Sequence, residues 1–389
     1  MAVSTSASAK ALGPTTPSTT TQGESAAALR YYSATQWQLI WWRFRRHRLA
    51  LIGGYTLLIM GLLGLFAEFI GPYSGTTRSN ENVLIPPQLP RFCNVNGCTL
   101  RPFVPGVVSE RNQVTLRMET KVDPSVRRDL LFFPQGDSYS YFGLFTWDRH
   151  LFGVQEGTIH LFGTDDLGRD LFTRVLYATR TSLSIGVLGV FISFVLALII
   201  GGIAGYFGGW PDYLIQRFTE LVRVVPVIPL YMGLAAAFPR EWSTQQVYFA
   251  MTLILGLVGW PTLARRIRGQ LLTLRNEDYV VSARIAGSTA VRIIGRHLLP
   301  AFTGYIIVDL VISFPYMILS ETALSFIGLG LRPPAMSWGI LLQDAQNIRS
   351  IQQAPWLFIP AVFVVVAVLA FTILGDGLRD AADPYQINE

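Results

Sequence analysis

The chain has 389 residues, of which 51% are hydrophobic and only 14% charged, and carries a formal net charge of +6. That balance is too apolar and too charge-poor for an ordinary water-soluble domain and places the chain in a membrane. Nearly all the positive charge is arginine set beside apolar runs, which argues against nucleic-acid binding.

Residues 1–29 are rich in Ser, Thr and Ala, carry only Lys10 and Glu24 as charges, and lack the apolar core of a secretory signal. They are expected to be a disordered cytoplasmic tail. Residues 30–48 mix Trp37, Trp41, Trp42 and Phe44 with Arg43, Arg45, Arg46 and Arg48. This composition predicts a helix lying in the headgroup layer, the alternative being a charged flank with interfacial anchors.

A bilayer core about 30 Å thick needs about 20 consecutive apolar residues per helix. Six runs qualify: Leu49–Gly71, Leu183–Phe207, Leu221–Phe238, Val247–Leu263, Leu299–Leu319 and Trp356–Leu374. None has the ten-residue alternation of a membrane barrel, so the expected fold is an all-α polytopic membrane protein with six transmembrane helices. The expected division is a first span over 49–71, an extracytoplasmic insert over 72–178, the remaining transmembrane domain over 179–378 with a cytoplasmic segment at 264–298, and a cytoplasmic tail over 379–389. The arginines before the first span keep the N-terminus inside, and six crossings return the C-terminus to the same side.

In the insert, the alternation of VTLRMETKV and the turn signal Gln135-Gly136-Asp137 suggest some sheet. Cys93 and Cys98 enclose Asn-Val-Asn-Gly; a disulfide in an oxidising compartment and two free thiols are both open, while a metal would want more ligands nearby. The stretch GTDDLGRD, Gly163–Asp170, gathers Thr164, Asp165, Asp166, Gly168, Arg169 and Asp170. Thr164 or Asp165 is expected to cap the helix entering the second span, with Arg169 pairing one carboxylate, in preference to metal binding.

Gly201, Gly205 and Gly209 recur at four-residue spacing, which lets helices approach closely. Pro226 and Pro229 are expected to interrupt the third span near the pathway. Asp309, in the fifth, is expected to face a water-filled pathway or a polar partner.

The connection between the fourth and fifth spans contains Arg265, Arg266, Arg268, Arg275, Arg284, Arg292 and Arg296. It therefore belongs in the cytoplasm, outside the hydrocarbon. Its sequence YVVSARIAGSTAVRIIGRHLLP, Tyr279–Pro300, predicts a helix, a turn at Gly287 and a second helix closed by Pro300. Ala283, Ile285, Ala286 and Ile293 are available for a partner's groove; the alternative is an amphipathic connector held at the membrane by arginine.

This segment resembles the coupling motif of membrane subunits in bacterial ABC importers: Glu-Ala-Ala, three residues, Gly, nine residues, Ile, one residue, Leu-Pro. Ser282 and Ala283 take the alanine positions; Gly287, Leu299 and Pro300 match in register; Val281 stands for the glutamate and His297 for the isoleucine. Glu277 and Asp278 lie one turn earlier. HLFGTDDLGRDLFTRVLYATRTSL from His160, GWPTLARRIRGQLL from Gly259, SETALSFIGLGLRPPAMSWG from Ser320 and LGDGLRDAADP from Leu374 resemble the oligopeptide/dipeptide permeases, while many relatives have a shorter connection in place of the insert.

The resemblance implies a type I importer, in which this chain and a second homologous permease subunit form a heterodimeric pathway. Two cytoplasmic ABC ATPases would drive it, and an extracytoplasmic substrate-binding protein would deliver peptides. By this resemblance Glu277, Tyr279, Ser282, Ala283, Arg284, Ala286, Gly287, Arg296, His297 and Pro300 couple to the ATPases. The chain lacks a phosphate loop and its lysines are Lys10 and Lys121, so it is expected to be non-catalytic and without cofactor. The expected location is the bacterial cytoplasmic membrane. The same importer type also serves nickel, glutathione, opines and oligosaccharides; a secondary transporter and a membrane receptor are the alternatives from other classes.

Overall fold

The computed structural model describes residues 34–382 apart from 95–96, 112, 114–117, 142, 144, 156 and 348–351. The expected tail 1–29, part of VTLRMETKV and residues 383–389 lie outside the described residues.

Thr35 opens helix α1, Gln36–Arg46, through a reciprocal capping box with Gln38. α1 buries Phe44 beside Ile40, Ala50 and Ala381, and leaves Trp37, Trp41 and Trp42 exposed. His47 ends α1 and starts α2, Arg48–Leu65, by accepting the Ala50 amide at 3.1 Å. The first span was expected to reach Gly71, but the chain breaks at Phe66 into the single turn α3, Ala67–Ile70.

Beyond α3 the insert forms two sheets. Strands β1 (Arg91–Asn94), β2 (Gly97–Arg111), β3 (Met118–Phe132) and β6 (Phe152–Val154) pair antiparallel in the order β1-β2-β3-β6. A separate hairpin joins β4 (Gln135–Tyr141) and β5 (Phe145–Arg149). Gln135-Gly136-Asp137, read as a turn, opens β4 instead; the chain runs on from β3 through Phe133, which takes a positive φ of 58°, with the Phe133 amide donating to the Leu151 carbonyl and the His150 amide to that of Pro134. Cys93 faces Cys98 across the β1–β2 ladder and the two are joined as a disulfide. The insert is strapped to the membrane helices by buried His150, whose ring nitrogens lie 2.6 Å from the Gly71 carbonyl oxygen and 3.0 Å from that of Asp137.

The remaining helices are α4 (Leu171–Phe207), α5 (Gly209–Val224), α6 (Val227–Ala236), α7 (Thr244–Leu274), α8 (Asp278–Ile285), α9 (Thr303–Phe326), α10 (Trp338–Asp344) and α11 (Ile359–Ala382). Among the described residues, five helical runs are long and apolar enough to cross a membrane, and α5–α6, bent by 82°, forms a broken sixth. Helix direction settles how that pair counts. α4 and α7 run parallel, with Gly189 beside Gly256, Gly201 beside Ala264 and Gly205 beside Arg268 and Leu271. The chain therefore leaves α4 on one side and starts α7 on the other, and α5–α6 makes the return crossing.

α9 runs against α4, since Gly186 meets Ile318 and Ser182 bonds Glu321. α11 runs against α2 and α9, as Gly377 meets Ala50, Gly53 meets Ala370 and Phe314 stacks on Phe371. The six crossings alternate, so α1 and the end of α11 share a side; Gly304 lies next to both Ile40 and Ala382. α11 continues through Ala382, so residues 379–382 are helix rather than tail.

The two prolines of the third span differ in effect. Pro226 sits in the 82° break, whereas Pro229 is the third residue of α6, where a missing N–H removes no helical hydrogen bond. Gly209 likewise departs from its neighbours: it has a positive φ of 59° at the start of α5, with open space where a side chain would be.

A Cβ at Gly201 would lie 2.5 Å from the Ala264 carbonyl oxygen, and one at Gly54 3.7 Å from the Leu374 side chain. Gly201→Ala is therefore expected to destabilise the detergent-solubilised protein by about 1–3 kcal/mol through overpacking, with Gly54→Ala close to neutral, measured as shifts in thermal unfolding.

Candidate functional site

The segment between α7 and α9 begins where Arg275 ends α7 and Glu277 takes extended backbone angles ahead of α8. α8 closes in a Schellman motif: the Ser288 amide donates to the Ala283 carbonyl at 3.1 Å and the Gly287 amide to that of Arg284 at 3.0 Å. The motif needs a left-handed residue after the cap, and Gly287 supplies it with φ +77°. Thr289 then opens Ala290–Arg292, which runs through a π-helical stretch, Ile293–Leu298, into Leu299–Ala301. Pro300 has no N–H to give the Arg296 carbonyl, and the Leu299 amide reaches back to Ile294.

Val280, Ile293 and Leu298 are fully buried with Ile267 and Leu271 of α7, and Ala283 packs against the same cluster. Ile293 was expected to meet a partner's groove; instead it anchors the segment to its own bundle. The opposite side is open: Ile285 and Val291 are each 82% exposed, beside exposed Tyr279, Ser282, Ala286 and Gly287. The sequence reading missed Val291, which lies two residues before Ile293 and so on the opposite side of the helical turn from that buried residue. Arg284 lies over the Tyr206 ring of α4 at 5.7 Å; Arg296 and Pro300 are exposed and His297 half-buried.

A cavity of about 550 Å³ lies among α4, α5–α6, α7 and α9. Its polar lining includes Arg223, Arg266, Tyr316 and Ser320, with Pro261 in the α7 wall. Asp309 is not among the lining residues. It is buried and accepts from Arg266, the polar partner that the sequence left open as one of two alternatives, and it is the Arg266 guanidinium that lines this cavity. Pro226 lies at the bend beside Val227, which does line the cavity.

On the insert side, GTDDLGRD forms a buried charge cluster. Asp165 accepts from the Leu167 and Arg169 amides, from Arg169 Nε at 2.6 Å and from Arg174. Asp344 receives the same two guanidinium groups at 3.3 and 3.1 Å. The helix cap is Asp170, not Thr164 or Asp165: its carboxylate accepts the Thr173 amide at 2.7 Å and contacts His160 at 3.0 Å. Thr164 instead stitches the loop at Asn82 and Ile85 to the bundle, with its carbonyl accepting from Trp356. Gly168, with φ +67°, leaves no room for a side chain against Ser79, and Asp166 points to solvent.

Glu321 was also missed, because the expected fifth span stops before it. It is completely buried and accepts from Ser182 at 3.0 Å and Ser325 at 2.8 Å.

Comparisons with known proteins give the following. A family model described as the binding-protein-dependent transport system inner membrane component matches residues 197–386. A second, the N-terminal transmembrane domain of oligopeptide transport permease C, matches residues 35–87. The chain is 39% identical over 227 residues to a dipeptide transport system permease protein of Bacillus subtilis, covering 58% of this chain and 68% of that one. It is 39% identical over 226 residues to an oligopeptide transport system permease protein of Haemophilus influenzae, covering 58% and 70%. A solved methionine ABC transporter in inward-facing conformations aligns at 17% identity and TM-score 0.41, over 53% of this chain and 95% of that one.

Asp165 and Arg174 have side chains 0% and 2% exposed, so removing the Asp165 charge leaves the Arg169 and Arg174 guanidinium groups to share Asp344 alone. Asp165→Asn is expected to cost about 3–5 kcal/mol of stability. Asp166→Asn, at the solvent-facing neighbour, should stay within about 0.5 kcal/mol. Thermal unfolding of the purified variants measures both.

Proposed function

The chain is a membrane subunit of the oligopeptide/dipeptide permease family of bacterial ABC importers, and from that premise we propose that it forms one half of a peptide pathway whose opening is driven through residues 277–300. The supporting observation is one of attachment. Val280, Ile293 and Leu298 fix the segment to α7, and the same α4–α7 pair walls the cavity of about 550 Å³. A push on the exposed side of the segment is carried directly to the cavity wall.

In this reading a cytoplasmic ATPase grips Ile285 and Val291, the most exposed apolar side chains of the segment, and Gly287 gives it close access to the backbone. Nucleotide-dependent closure of two ATPases shifts the population between an outward-open and an inward-open cavity by differential contact with the two arrangements. A second homologous permease completes the pathway, and a binding protein delivers the peptide on the insert side. The arginine-rich side holding α1, α8 and the end of α11 is cytoplasmic by charge bias. The names of the relatives support peptides as substrate, and Arg223 and Arg266 supply positive groups suited to a peptide carboxylate.

Two variants separate docking from folding. Ile285→Asp combined with Val291→Asp is expected to leave the permease folded while cutting ATPase copurification about tenfold or more, since both side chains are exposed in the free chain. Unchanged copurification contradicts the docking surface. Gly287→Trp fills the open space at the turn and is expected to abolish peptide uptake in proteoliposomes while ATP hydrolysis persists. Gly287→Asn, which tolerates the left-handed conformation, should keep uptake coupled. Normal coupled uptake by Gly287→Trp contradicts the proposal.

A further inference from the structure

The two matched family stretches leave residues 88–196 between them, and the β4–β5 hairpin lies in this region. Its register sets Tyr139 opposite Trp147 and Tyr141 opposite Phe145. The two-residue period of a strand therefore puts these four aromatics on one face and Ser138, Ser140, Thr146 and Asp148 on the other.

The aromatic face sits over the end of the first span. Phe66 stacks on Tyr141 at 6.2 Å and Phe69 on Trp147 at 6.4 Å, and the Tyr141 hydroxyl donates to the Leu65 carbonyl at 3.3 Å. Between hairpin and helix lies a groove of about 440 Å³ with no charged residue in its lining. Phe145 and Trp147 are still 51% and 48% exposed at its rim.

Two features identify what covers this surface. Leu58, Leu62, Leu65 and Phe66 form an exposed stripe along α2 at helical spacing, and Phe66 is also a wall of the groove, so the groove continues a lipid-facing surface. The depth also fits: the 18 residues of α2 rise about 27 Å at 1.5 Å per residue, so the hydrocarbon ends close to Leu65, where Tyr141 is bonded. Tyr and Trp, with apolar bodies and polar tips, favour that level of a bilayer. We propose that the β4–β5 hairpin rests in the headgroup layer on the insert's side of the membrane and that its groove holds an acyl chain of a phospholipid from that leaflet. The hairpin thereby holds the insert at a fixed height over the first span. The serine and threonine face is left in water.

The test uses the assembled importer in vesicles of phosphatidylethanolamine and phosphatidylglycerol containing a trace of phosphatidylcholine with a photoactivatable diazirine in its acyl chain. After irradiation, adducts are mapped by mass spectrometry. The expected result is labelling of the hairpin aromatics together with the Leu58–Phe66 stripe. In a Phe145→Glu, Trp147→Glu variant, hairpin labelling should fall about fivefold or more, since charge is expelled from apolar surroundings, with the stripe labelled as before. The labelled stripe serves as the check that the variant is folded and inserted. A labelled stripe beside an unlabelled hairpin in the unmodified protein overturns the proposal, as does hairpin labelling that survives both glutamates. Cross-linking of the hairpin to a second protein in place of lipid overturns it too.

Discussion

The bundle depends on how closely α4 and α7 approach. Gly201, Gly205 and Gly256 remove side chains along the seam, and backbone meets backbone or Cβ where they do. In lipid there is no hydrophobic drive to bring two helices together, so the attraction must come from tight contact and from hydrogen bonds such as Ser193 Oγ to the Gly256 carbonyl at 2.8 Å. Everything of functional interest hangs on this pair. The cavity is cut into its side, and the segment 277–300 is cored onto its end through Ile267, Leu271, Val280 and Ile293.

Ion pairs hold the other elements to that frame. Arg268 forks onto Asp212, tying the bent α5 to α7; Arg266 joins α7 to Asp309 of α9; Arg180 of α4 bonds Glu68 at the end of the first span. Each charge in a low-dielectric setting is costly alone and is tolerated because its partner is in place. The Asp165–Arg174–Asp344 cluster does the same on the insert side, and there it also joins a loop to α10. These pairs restrict how the helices can slide and favour movement as packed groups.

Much of this was legible in the sequence, and the failures have physical causes. Apolar run length predicted six crossings because lipid forces every backbone group to be satisfied within a helix. The prolines pointed to an interruption of the third span, and the 82° bend lies at Pro226; which of Pro226 and Pro229 makes it depends on their position relative to the new helix start, which the sequence does not give. Thr164, Asp165 and Asp170 are all competent caps; Asp165 is occupied by two arginines, one of them nine residues away, leaving Asp170 to cap α4. Ile293 was grouped with Ile285 as available to a partner, but it falls on the bundle side with Val280 and Leu298, which apolar character alone does not distinguish from an open face. Asp309 was readable as a costly intramembrane acid, but its partner Arg266, 43 residues earlier in the chain, was not.

The most direct test of the account asks whether segment and helix pair move as one body. Spin labels at Gly295, which is exposed with open space beside it, and at exposed Phe191 of α4 report their separation in the assembled importer by electron paramagnetic resonance. The account predicts the same distance distribution in the nucleotide-free and ATP-trapped complexes while labels across the cavity, at Val227 and Tyr316, change theirs. A Gly295–Phe191 distance that shifts with nucleotide would contradict it, since the segment would then be moving independently of the helices it is said to drive.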